Sequence, residues 1–220
     1  MFHWLEKRPF FFAVFLFVVI SFAGLIEIIP GYSQASRPVV GKEPYTMLQL
    51  AGKNIYMKEN CNVCHSMLIR PFKNETDRYG MYSLSGEYAY DRPFLWGSKR
   101  TGPDLMRVGN YRTTDWHENH MLDPVAIVPG SIMPPYPWLF DKAADVDTAY
   151  AEALTVKRVF NTPYTDEQVP ENDLAKAKQI MLAEAAEIVA DMKDPRVKAA
   201  HERGEITEIV ALIAYLNSRK

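Results

Sequence analysis

The chain has 220 residues and a formal charge of −2, room for one ordinary domain plus additions and no basic excess to attract nucleic acid. It has only two cysteines, so any chemistry that consumes both leaves no structural disulfide. Proline is plentiful (15) and glycine sparse (11), with 12 Tyr and 11 Phe, a composition suited to long, ordered, aromatic-rich loops.

Residues 1–9 form a short lead that carries Lys7 and Arg8. Residues 10–29 follow as an almost unbroken apolar run, FFFAVFLFVVISFAGLIEII. Twenty residues at ~1.5 Å each span about 30 Å, the thickness of a bilayer's hydrocarbon core. A cleaved signal peptide, with Ser33-Gln34-Ala35 as its cleavage site, is the alternative. Signal cores are usually ~7–15 residues, shorter than this run, which favours a retained anchor. Charge does not orient it, because Arg37 and Lys42 after the span balance Lys7 and Arg8. Glu27 near its end either reaches the headgroups or meets a partner subunit. Residues 30–43, punctuated by Pro30, Gly31, Pro38 and Gly41, read as a linker to a domain over 44–220.

A helix is predicted from about Pro44 to Lys58, where Met47, Leu48, Ala51, Ile55 and Tyr56 fall near one stripe. It delivers the chain to Cys61-Asn62-Val63-Cys64-His65, the pattern of a c-type haem attachment site. Each thiol adds across one haem vinyl group, and His65 is placed as the proximal iron ligand. A zinc site would need about four ligands, and no third cysteine exists. A redox dithiol normally sits near a βαβ pattern, absent here. Covalent haem attachment takes place outside the bacterial cytoplasm, which makes the N-terminus cytoplasmic.

Ser66 to Tyr111 is a long connection with few periodic segments, rich in Tyr, Phe and Trp beside Arg92 and Arg100. Such length points to function rather than connection, and the segment from Arg70 to Arg107 reads as a docking face, with internal packing the alternative. Within it, Thr101-Gly102-Pro103-Asp104-Leu105 resembles the Gly-Pro-x-Leu segment of class I cytochromes c. There the proline carbonyl accepts a hydrogen bond from the free ring nitrogen of the proximal histidine. Pro103 is the candidate for that role.

His117 and His120 could share a helical face, but no further ligand has recognisable spacing for a metal. Ile132-Met133-Pro134, after the Pro129-Gly130-Ser131 turn, resembles the loop that presents the distal ligand in class I cytochromes c. Met133 is thus the candidate sixth ligand and His120 the runner-up; His/Met ligation raises the potential. Residues 141–203 read as a helical insertion, with a helix opened by Asn172 or Asp173. Ile206 to Asn217 is a strongly apolar helix that looks like the C-terminal helix of class I cytochromes c.

Taken together, the chain resembles subunit II of the cbb3-type cytochrome c oxidases. The residues carrying the likeness are the anchor, the Cys61–His65 motif with Arg70-Pro71, Arg78-Tyr79-Gly80, the run from Arg92 through Trp96-Gly97-Ser98-Lys99-Arg100 to Leu105, and Pro129 to Leu139. The likeness implies a mainly α fold: one N-terminal transmembrane helix, then a class I cytochrome c-like haem domain with long loop insertions. It implies one covalent haem c in the periplasm, on an inner-membrane anchor, carrying electrons from a soluble cytochrome c or a di-haem cytochrome c subunit. The acceptor is the b-type haem of the catalytic haem-copper subunit I, where oxygen is reduced, so the enzyme label belongs to the complex. It also implies a calcium-like cation near the subunit junction, with Gly97 and Ser98 as its loop positions. Two rivals stand: the cytochrome subunit of a nitric oxide reductase, which should lack the Trp96–Leu105 segment, and a free-standing cytochrome c.

Overall fold

The computed structural model describes residues 2–33 and 38–220, in two units, residues 1–36 and 37–220. Gln34, Ala35 and Arg37, invoked above in the linker and the cleavage alternative, lie outside the described residues.

In the first unit a short helical turn, Phe2–Glu6, precedes helix α1, Pro9–Ser33. Within α1, Pro9–Ile29 is long and apolar enough to cross a membrane, with none of its most apolar stretch buried by the chain itself.

The second unit is helical, and the described residues contain no strand, only an isolated bridge between Ala143 and Thr207. Helix α2, Met47–Lys58, starts at a capping box. Gln49 N donates to Thr46 Oγ1 at 3.1 Å, and Thr46 N donates to Gln49 Oε1 at 3.2 Å. The sequence signal placed this helix correctly and its start three residues early, because Pro44 and Tyr45 precede the cap. Helix α3, Lys73–Tyr79, interrupts the long connection, and helix α4, Thr114–Leu122, follows it, capped by Thr113.

Residues 141–203 hold α5, Val146–Val159, α6, Leu174–Asp191, and α7, Pro195–Glu202. Asp173 caps α6, accepting from Lys176 N at 2.9 Å, which chooses between the two candidate caps. These helices share the core of the unit, with Ala149, Ala153, Ala177, Met181 and Ala185 fully buried. Glu118 of α4 is buried and accepts from Lys193 N at 2.9 Å and Asp194 N at 2.6 Å, which pins the α6–α7 junction to α4. The stretch is therefore part of the domain's packing rather than an appendage to it.

Helix α8, Glu208–Asn217, is buried from Glu208 through Leu216, since its neighbours α2, α4 and α6 take up its faces. Its closest approach is to α2, at Gly52. A Cβ there would stand 1.9 Å from the Ala211 carbonyl oxygen and 2.8 Å from Tyr215 Cβ. Both are attached to main chain, so neither can swing aside. A second anchor joins the chain's end to the same crossing. Asp91 accepts from Tyr45 Oη at 2.9 Å and Lys53 Nζ at 3.0 Å, and buried Arg219 lies 3.5 Å away. Burial pushes Asp91 up and Lys53 down in pKa, and their mutual attraction opposes both shifts.

Gly52→Ala is expected to lower stability by about 1–3 kcal/mol, the usual cost of overpacking, despite alanine's higher helix propensity. Denaturant unfolding of the haem-loaded protein reads the change; an unchanged midpoint would mean that the helices can separate at no cost.

Candidate haem site

Two residues after α2, the chain makes a single helical turn, Cys61–Cys64. Asn60 starts it with φ +56°, a left-handed conformation that asparagine tolerates better than most residues. His65 N donates to Cys61 O at 2.9 Å and closes the turn. Both cysteines are free, Cys61 partly buried and Cys64 exposed. Burial pushes the Cys61 thiol up to about 12, so it keeps its proton at neutral pH.

The chain then runs extended beside the segment from Arg100 to Leu105. Gly102 N donates to Cys64 O at 2.9 Å and Leu105 N to Ser66 O at 2.8 Å. Between these two bonds, His65 Nδ1 lies 2.8 Å from the Pro103 carbonyl oxygen. A carbonyl can only accept, so Nδ1 carries the proton and Nε2 keeps its lone pair. Gly102 faces the ring directly: a Cβ would stand 2.2 Å from His65 Cε1 and 2.7 Å from both nitrogens. Burial pushes the His65 pKa down, favouring the neutral imidazole that a metal requires.

Beneath this pair of segments lies a charged network. Asp104 accepts from Ser66 Oγ at 2.5 Å, Leu68 N at 2.9 Å and Met106 N at 2.8 Å. Arg100 donates to Ser66 Oγ at 2.6 Å, Leu68 O at 2.7 Å and Glu75 at 2.8 Å. Glu75 is buried, also takes Arg70, and is held down to about 2 by the Arg100 hydrogen bond. Arg100 thus spends its donors within the chain, on carboxylates and a carbonyl, while its side chain stays partly exposed. The sequence offered no signal for this, because Ser66, Glu75, Arg100 and Asp104 are spread over aperiodic loop.

Met133 lies half-buried against the core, on the loop between the turn Pro124–Ile127 and the 3₁₀ turn Pro137–Phe140. Tyr136 N donates to Met121 O at 2.8 Å, tying that loop to the end of α4. The Tyr136 pKa is raised, by burial first and then by the Cys61 and Cys64 thiols. That loop and the turn before it expose Val125, Ile127, Val128 and Ile132, apolar surface of the kind a porphyrin covers. On α4, burial and then His65 lower the pKa of His120, whose Nδ1 is buried without a hydrogen-bond partner. Trp116 stacks on it with centroids 4.5 Å apart. His117 is buried with both ring nitrogens unpartnered, and burial pushes it down to about 4.

A family model described as cytochrome c oxidase, mono-haem subunit (FixO), matches residues 2–219. The chain belongs to this family. No curated protein matches it. A FixO chain is the mono-haem cytochrome c subunit of a cbb3-type oxidase, with a function in electron transport and a single haem c. The residues present fit that group: two free thiols one turn apart, an imidazole with Nε2 left open, and a half-buried thioether on a loop tied to the end of α4. Among the described residues no group of three or more His, Cys, Asp or Glu gathers to hold a further metal ion. Gly97, at φ +74°, lies so close to the main chain that a Cβ there would stand 3.0 Å from Ser66 Cα, and Ser98 is exposed. Calcium takes 6–8 oxygens, so a cation at these two residues would draw most of its ligands from elsewhere.

The depressed Glu75 carboxyl gives a pH signature. Its folded pKa lies below the ordinary 4.5, so its contribution is complete above about pH 4.5 and disappears as pH falls toward about 2. Glu75→Gln is expected to be less stable than wild type by about 2 kcal/mol at pH 7. The gap should narrow below pH 4.5 and close near pH 2, as read by thermal unfolding of both proteins across that range.

Proposed function

We propose that this chain passes single electrons through one haem c held by Cys61, Cys64, His65 and Met133. The donor is a soluble cytochrome c or the di-haem cytochrome c subunit; the acceptor is the b-type haem of the catalytic haem-copper subunit. The observation that carries this reading is the Pro103 carbonyl on His65 Nδ1, with Gly102 against the ring, inside the chain's one Cys-x-x-Cys-His. The Cys61 and Cys64 sulfurs would hold the porphyrin as thioethers through its two vinyl groups, each S–H hydrogen kept on the second vinyl carbon, so that no atom would be lost. The haem supplies the one-electron chemistry, and the protein supplies ligation, burial and position. Pro103 fixes the tautomer and angle of His65, Gly102 admits the ring, and the Met133 sulfur raises the potential. Oxygen reduction belongs to the partner subunit.

Covalent haem attachment outside the cytoplasm supports an N-terminus in the cytoplasm, α1 in the inner membrane and the haem domain in the periplasm. The catalytic subunit is met through the loop from Arg70 to Arg107. Phe94 and Trp96, about half exposed, stack there with centroids 4.8 Å apart and planes 9° from parallel. Tyr88 meets both edge-on from the core side. Trp96 O accepts from Met67 N at 2.9 Å, so this aromatic pair is tied two residues from His65. A rigid aromatic face fixed to the haem ligand sets the haem-to-acceptor distance. A calcium-like cation at Gly97 and Ser98, completed by oxygens of the catalytic subunit, belongs to the same junction, on the family likeness.

Haem staining of the denatured band with a pyridine haemochrome assay should give one haem per chain. Met133→Leu should abolish the weak sulfur-to-iron absorption of the oxidised protein; its survival would move the ligand role to another residue, His120 first. Trp96→Ala should keep full haem and a normal spectrum while weakening co-purification or slowing electron delivery to the b haem. Loss of haem in that variant would instead make the aromatic pair internal packing.

A further inference from the structure

Behind the loop that holds His65 lies a cavity of about 270 Å³, between α3 and the segment ending at Pro103. Arg70, Arg78 and Arg100 line it against a single carboxylate, Glu75. Two of these cations are already satisfied. Glu75 takes Arg70 and Arg100, and buried Asp104 takes Arg100 as well at 3.3 Å. Arg78 is left over. Its exposed guanidinium lies over the Tyr79 ring at 5.1 Å and makes no ion pair among the described residues. The Asn74 amide and the Thr101 hydroxyl, on opposite walls, likewise have no hydrogen bond within the described chain. Three sets of uncommitted donors therefore converge on one opening with a net positive lining.

We propose that this cavity is a carboxylate site, filled by an Asp or Glu side chain of the protein partner against which the haem domain docks. The inference rests on the docking reading of the Arg70–Arg107 loop and gives it a chemistry. A planar two-oxygen group matches the guanidinium fork of Arg78, and the Asn74 and Thr101 donors meet its remaining lone pairs. A neutral or basic side chain would leave Arg78 partly desolvated and unpaired. The site's back wall is Gly102-Pro103, so a partner gripped here is registered against the backbone that orients His65.

The test uses the detergent-purified oxidase carrying wild type, Arg78→Gln, Arg78→Lys or Thr101→Val, with haem per chain measured on every sample. The reading is the NaCl concentration at which the mono-haem subunit leaves the complex on gel filtration. Arg78→Gln should release it at about half the wild-type concentration, since one charge-assisted contact is lost. Arg78→Lys should fall between, keeping the charge without the fork, and Thr101→Val should shift release slightly in the same direction. Release of Arg78→Gln at the wild-type concentration would overturn the proposal. So would a haem potential that sodium phosphate shifts at constant ionic strength in the isolated full chain, lost in Arg78→Gln without any change in release; that marks a free-anion site. A salt shift as expected in a subunit lacking haem would overturn the electron-transfer reading and leave the docking site standing.

Discussion

One hydrogen bond, from His65 Nδ1 to the Pro103 carbonyl, sets the terms for everything around it. It can form only where two loop segments run side by side at main-chain distance. The flanking bonds at Gly102 and Leu105 show what that requires. Any side chain at position 102 would enter the imidazole, so a glycine is needed for contact rather than for backbone freedom. The charged network below does the remaining work. Asp104 holds both segments through Ser66 and Leu68, and Arg100 joins them to α3 through Glu75. Ring orientation, loop pairing and the position of α3 are consequently one mechanical unit.

A second buried charge cluster has a different logic. Lys53 and Arg219 share one carboxylate, Asp91, with all three nearly inaccessible to water. Removing a charge from solvent costs several kcal/mol, and mutual attraction recovers that only with good geometry and further hydrogen bonds. Tyr45 supplies one such bond, and its ring, with that of Tyr215, lies against the Arg219 guanidinium at 4.8 and 4.6 Å. An arrangement so sensitive to placement favours one register of the chain's end on α2 over its neighbours. Its value lies more in specificity than in net stability.

Much of this was legible in the sequence, and for identifiable reasons. The apolar run, α2, α6 and α8 all carry periodic or continuous apolar patterns, which survive as helices within a few residues. Cys61, Cys64 and His65 are legible from thiol spacing, which is itself chemistry, and Pro103 from the likeness of its Gly-Pro segment to that of class I cytochromes c. What escaped has no period to betray it. Glu75, Arg100 and Asp104 come together only through tertiary folding. The stretch over 141–203 looked separable because its ligand-free sequence resembles surface helix. Its buried alanines and Met181, and Glu118 taking two main-chain donors from the far side, show that it is fastened into the core.

The crossing of α2 and α8 joins the two ends of the domain: Lys58 bonds Glu208 at 2.6 Å across 150 positions. Contacts so distant in sequence form late, because the intervening chain must be ordered first. On the proposed orientation the polypeptide is exported from its anchored end, and the thiols emerge long before α8. During that interval α2 has no crossing partner, and the Cys61–Cys64 turn hangs from an unfinished domain. Both sulfurs thus stand in the chain well before the helix that completes the crossing, and any truncation ahead of Glu208 would leave α2 without its partner.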